Sequence, residues 1–259
     1  GTTSGYVHVQ GIVIKAADAV WGRNTTGVSI AAGATATVTS ISTSFPAGYK
    51  VAIIAAAYGF WTGSGHQLVG AGNIRLKSGD TIVSSNQFNI GSYNTAEPYY
   101  VTLLFLETTT SSSQTYSVEV RNGSSQSFTN YAMIVAFTVY DGAFLDTEAV
   151  PLTNGGTVTV GNLTTDLPNP ITVISTAAAE NTASTGGTAF NNLDVSLRVN
   201  NAVTGSRNQL PWLLEGTGSH GRSGVLPLFL TGAGASSSFQ ITMTARRSGL
   251  NGEAKILAF

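Results

Sequence analysis

The chain has 259 residues, 12 basic and 13 acidic side chains, a net charge of −1, no Cys, 30 Gly and 42% hydrophobic residues. Charged residues are 10% of the total, against an ordinary share of about 25%, and their dispersal leaves no basic footprint for nucleic acid. Without Cys there is no disulfide framework or thiolate metal centre, the apolar content excludes a disordered chain, and the longest apolar run, Val51 to Trp61, falls short of the ~20 residues of a membrane helix.

In chain order, the first predicted element is a strand of about eleven residues from Gly5 to Lys15. Its apolar positions Tyr6, Val7, Val9, Ile12, Val13 and Ile14 form a candidate assembly strand. Three fates are open to it: an added strand of its own sandwich, a bridge between domains, or donation to the sheet of a neighbouring copy. Beyond it, short runs of Val, Ile, Thr, Tyr and Phe alternate with polar residues between Gly, Ser, Asn and Pro clusters, the period of half-buried strands. Lys77-Ser78-Gly79-Asp80 reads as a turn and Thr109 to Ser113 as a strand connection. Tyr116, Val118 and Val120 alternate with Ser117, Glu119 and Arg121, and Phe239, Ile241 and Met243 with Gln240, Thr242 and Thr244.

The strongest organising signal is an internal repeat. Thr37-Val38-Thr39 matches Thr157-Val158-Thr159, and Val51 to Ile54 lines up with Ile171 to Ile174. Asn86-Gln87-Phe88 answers Asn208-Gln209-Leu210, and Leu104-Phe105-Leu106 answers Leu228-Phe229-Leu230. Tyr116-Ser117-Val118 answers Phe239-Gln240-Ile241, and Ala132 to Phe137 answers Ala254 to Phe259. The fold expected is all-β: two tandem antiparallel β-sandwich, jelly-roll-like domains from an internal duplication, plus an N-terminal extension strand. Residues 1–33 are the extension, 34–142 the first sandwich, 143–153 a linker and 154–259 the second sandwich. The strand that runs through Phe137 and on through Thr138, Val139 and Tyr140, like its counterpart ending at Phe259, is apolar at nearly every position and is therefore expected at the centre of its sheet.

Chemistry is sparse. His8 lies in the first strand, and His66 and His220 lie in Gly/Ser-rich loops. Ser219 adjoins His220, but neighbours in sequence point apart and no Gly-x-Ser-x-Gly elbow frames the serine. Glu107, Glu119, Glu180, Glu215 and Glu253 are too scattered to nominate a glycosidase pair. No catalytic residue and no cofactor is expected. Asp141, Asp146 and Glu148 are the densest acidic group, either a Ca²⁺ loop or an ordinary solvated connector. Trp21, Trp61, Trp212, Tyr99 and Tyr100 either stack on sugars or fill cores and interfaces. Asn24, Asn122 and Asn162 head sequons in or beside predicted turns.

Ser, Thr, Asn, Gln and Gly do the solvating that charge does in most soluble proteins. Such a surface can meet copies of itself without stripping water from ions. This predicts an extracellular, cell-surface or virion location, with copies of the chain as partners, glycans as further candidates and no transmembrane segment. The start at Gly1, without a charged and apolar leader, is expected from a signal peptide already removed, although loss of an initiator Met gives the same start.

The composition, the extra strand from Tyr6 to Ile14 and the lack of catalytic motifs resemble the one-protein extracellular filaments of archaea called threads and bundling pili. That resemblance implies β-sandwich subunits that insert an N-terminal strand into the next subunit, one sandwich each, so the duplication departs from it. The two tandem sandwiches, with strands such as Thr115 to Val120, also look like jelly-roll virion proteins, which implies a capsid, turret or tail-fibre role. A non-enzymatic, self-assembling filament subunit is the leading expectation. The alternatives are a virion structural protein and a sugar-binding surface adhesin.

Overall fold

The computed structural model describes residues 14–15, 18–60, 67–92, 99–168, 171–181, 189–214, 221–229, 237–245 and 249–259. These form strands with antiparallel ladders throughout. The first half contains β1 (Ala19–Arg23), β2 (Val28–Ile30), β3 (Thr35–Thr43), β4 (Lys50–Phe60) and β5 (Gln67–Ser78). It continues with β6 (Thr81–Ser92), β7 (Tyr99–Thr108), β8 (Gln114–Asn122) and β9 (Phe128–Val139). One sheet runs β1-β9-β4-β7, with β2 also on β9, and the other runs β3-β8-β5-β6. Val51, Ile53, Ala55 and Ala57 of β4 face Tyr116, Val118 and Val120 of β8 across a shared core. Gly79, at φ 58°, closes the turn read between β5 and β6.

The second half contains β10 (Ala143–Leu152), β11 (Thr157–Thr165), β12 (Thr172–Asn181) and β13 (Ala189–Val199). Then come β14 (Ala202–Leu214), β15 (Gly221–Phe229), β16 (Ser237–Ala245) and β17 (Leu250–Ala258). Its sheets run β10-β17-β12-β15 and β11-β16-β13-β14. Val173, Ala177 and Ala179 of β12 share a core with Phe239, Ile241 and Met243 of β16. Both halves thus thread the chain between two sheets in one order, the jelly-roll form of sandwich. Even registers correspond: Ile53 pairs with Ala136 as Val173 pairs with Ala258. The bulges fall after Thr37 and after Thr159, which shifts the counterpart of Thr37 two residues on from Thr157.

The sheets containing β4 and β12, the inner sheets, also meet each other. Ala52, Leu104 and Phe137 of the first form one buried cluster with Ile174 and Leu257 of the second. Phe137 meets Phe259 edge-on with centroids 5.2 Å apart, and Phe105 meets Phe144 likewise at 5.8 Å. The stack therefore has four layers. β4, β9, β12 and β17 lie inside their sheets and between two cores, which is why β9 and β17 are apolar at successive positions.

Two boundaries differ from the sequence reading. Residues 143–153, expected as a linker, supply β10, which takes the place beside β17 that β1 and β2 take beside β9. Asp146 and Glu148 gave the segment the look of a solvated connector, and a bulge between Thr147 and Val150 interrupts its alternation. Residues 19–30, expected within the extension, carry β1 and β2 of the first sandwich. Of the candidate assembly strand, Tyr6, Val7, Val9, Ile12 and Val13 lie outside the described residues. Ile14 is half-buried against the cluster between the inner sheets.

Candidate assembly surface

On the outward face of the first inner sheet, register stacks the side chains in rows. Ala19, Phe137 and Ala52 form one row, and Trp21, Val135 and Ile54 the next. Arg23, Met133 and Ala56 form the third, followed by Tyr131 and Tyr58. The second inner sheet covers the first row and part of the second. Beyond that cover Trp21 is 66% exposed, Met133 54% and Tyr58 40%. The Arg23 guanidinium lies 5.9 Å from the centre of the Trp21 ring, and Tyr58 stacks on Tyr131 at 4.8 Å with 7° between planes. Sequence reasoning isolated Trp21 but missed Met133 and Tyr58. The available signal was the run from Tyr131 to Val139, whose odd positions are as apolar as its even ones.

Ionic groups pair with one another. Asp141 accepts from the Lys50 ammonium, which also reaches the Gly142 carbonyl at 3.2 Å. The Lys50 hydrogen bond and the Gly142 N–H hold the Asp141 carboxyl below its ordinary range. Asp146 takes Lys255, 3% exposed, at 2.5 and 2.6 Å. Glu148 is exposed. The acidic trio is thus split between separate ammonium partners and solvent, and no group of three His, Cys, Asp or Glu among the described residues is placed to hold a metal.

Glu119 accepts from Arg75 at 3.1 Å with Lys77 at 3.9 Å. Glu107 accepts from the Tyr116 hydroxyl and, at 3.1 Å, from Ser78, whose oxygen accepts from Gln114 at 2.7 Å. This network ties the two sheets of the first sandwich together at one end. Burial first, then the Glu107 hydrogen bond and charge, push the Tyr116 phenol well above its ordinary value.

The sequons separate. Asn122 is 0% exposed, and its amide donates to the carbonyls of Ile30, Ala31 and Gln126 while its oxygen accepts from the Ser124 N–H and hydroxyl. Glycosylation there, a sequence expectation, is incompatible with the folded chain because every polar atom of the side chain is engaged inside the protein. Asn24 is half-buried and accepts from the Gly27 N–H at 2.7 Å. Asn162 is exposed on β11, accepting from the Ser238 hydroxyl at 2.8 Å.

His8, His66, His220, Ser219, Glu215 and Trp61 lie outside the described residues, as do the side chains of Glu180, Trp212, Tyr99 and Tyr100. No helix among the described residues is long and apolar enough to cross a membrane.

No family model matches the chain, and no curated protein matches it in sequence. Among solved structures it is similar to PNGF-II, with TM-score 0.37 and 7% identity over 89% of this chain. It spans 64% of the length of PNGF-II. It is also similar to the major capsid protein P2 of bacteriophage PM2, with TM-score 0.32 and 10% identity over 93% of this chain and 97% of that one. A triple jelly-roll turret protein of an archaeal virus gives TM-score 0.22 and 13% identity over 90% of this chain and 58% of that one. The strand order above defines the architecture: an all-β protein of antiparallel jelly-roll sandwiches.

Proposed function

We propose that this chain is a non-catalytic structural subunit that assembles with copies of itself outside the cell or in a virion. The observation that carries the reading is the division of its surface. Ionic groups are few and several pair among themselves (Lys50 with Asp141, Lys255 with Asp146, Arg75 and Lys77 with Glu119), whereas Trp21, Tyr49, Tyr58, Ile82, Met133, Tyr140 and Val203 are exposed. Charge self-neutralised in this way costs little to bring against another protein, and exposed apolar groups supply the attraction. The shared strand order supports the view of two copies of one ancestral unit.

Tyr6 to Ile14 remains our candidate for a donated strand. Because β1 and β2 already fill the place beside β9, a donated strand would extend a sheet edge of the neighbour rather than complete its core. Exposed Asn162, with Asn24, is the proposed glycan site, and no cofactor enters the reading.

Sedimentation across a wide concentration range, with electron micrographs of the native material, tests this. Threads or closed shells are expected, threads favouring the filament and shells the virion. A monomer at every concentration overturns the proposal. Deleting residues 1–13 abolishes polymerisation if the strand is donated, and only lowers stability if it stays within its own molecule.

A further inference from the structure

We propose that the uncovered half of the first inner sheet's outward face is where a second copy of this chain docks, an inference that rests on the assembly reading and gives it a location. The surface consists of Trp21 and Arg23 from β1, Met133 from β9, and Ala56 and Tyr58 from β4. It is continuous with an interface that already exists inside the molecule. One row away, Ala52, Leu104 and Phe137 of the same face hold Ile174 and Leu257 of a second jelly-roll sheet. The covered rows of this face are fitted to a jelly-roll sheet of this strand order, and a further copy brings such sheets with it.

The chemistry of the strip narrows the occupant. Arg23 is the one charge among these residues, so an acidic or basic macromolecule finds little complement. A sugar needs donors and acceptors flanking its aromatic platform. Met133, Ala56 and Val135 supply none from their side chains, and Tyr58 and Tyr131 spend one ring face on each other. Apart from Arg23 and the Tyr hydroxyls the strip offers apolar contact, and laid on its own counterpart about a two-fold axis it makes an isologous interface with Met133 near the middle.

The absence of Cys makes the test clean, because a single introduced thiol has no competitor. Met133→Cys is compared with Ser112→Cys, whose site is exposed in the connection between β7 and β8. The position 133 thiol is expected to form a disulfide dimer under mild oxidation. On assembly its labelling slows by about tenfold or more, while the thiol at 112 keeps its rate; Met133→Glu weakens association by at least about tenfold and Ser112→Glu leaves it unchanged.

Assembly that proceeds with the 133 thiol fully reactive overturns this location and leaves the structural reading standing. A protein that never associates overturns both. If the 133 thiol is protected in the monomer and released by removing residues 1–13, the chain's own N-terminal segment is the occupant and the inference fails. Polysaccharide binding lost in Trp21→Ala, with association intact, overturns it in favour of an adhesin.

Discussion

At the residue scale, buried polar groups decide more than exposed charges. Asn122 bridges the end of β2 to the loop after β8 through bonds to Ile30, Ala31 and Gln126. Asn122→Ala strands those carbonyls, and a loss of about 3 kcal/mol is expected in urea unfolding. Mass spectrometry of protein from a glycosylating host should find glycan at Asn162 and none at Asn122.

Tyr116 gives a pH signature. Its hydroxyl donates to Glu107 within a buried setting, so Tyr116→Phe should cost about 2 kcal/mol at neutral pH. Because the folded phenol titrates above the ordinary value of 10.0, its contribution is complete below that pH. It falls above that point, where the unfolded chain sheds a proton that the folded chain keeps. Circular dichroism melts between about pH 10 and 12 should therefore show the wild type losing stability faster than Tyr116→Phe, the gap between them narrowing.

At the element scale, alternation was legible wherever one face is wet. Tyr116, Val118 and Val120 point inward, while Ser117, Glu119 and Arg121 are partly or fully exposed. Thr242 departs from its expected exposure and is buried. Where β10 was missed, the cause is local: Ala149 takes φ 57° in the bulge, and acids precede it at 146 and 148. A left-handed Ala costs about 1–2 kcal/mol and added Gly flexibility about 0.5–1. Ala149→Gly should thus raise the unfolding free energy by roughly 0.5 kcal/mol. The Asn200-Asn201 turn, with φ of 47° and 68°, shows the same preference where Asn supplies it. At Gly22 of β1 the need is space: a Cβ would stand 2.7 Å from Ile41 Cγ2 and 3.3 Å from the Ser40 carbonyl. Gly22→Ala should pry β1 from β3, costing about 1–3 kcal/mol in the same assay. The Trp21–Met133–Tyr58 strip was not legible for a different reason: it exists through cross-strand register, which pairs residues far apart in the chain, such as Arg23 with Met133 and Tyr58 with Tyr131.

At the scale of the whole molecule, the contact between inner sheets makes the halves interdependent. Phe137, at 2% exposure, packs against Phe259 and the Leu257 cluster. Phe137→Ala should cost about 3–5 kcal/mol. Leu257→Asp, which buries a charge at the contact, should split a single denaturant transition into two, since each half has a core of its own. Sequence pattern announced these strands as central, but that their second face is dried by the other half of the chain required the packing of distant segments. The dryness on both faces of β12, and of β4 around Ala52, has a temporal consequence. Their amide protons are held by ladders on either edge, so in heavy water deuterium should replace them last, and they become a clock whose only escapement is the opening of the entire protein.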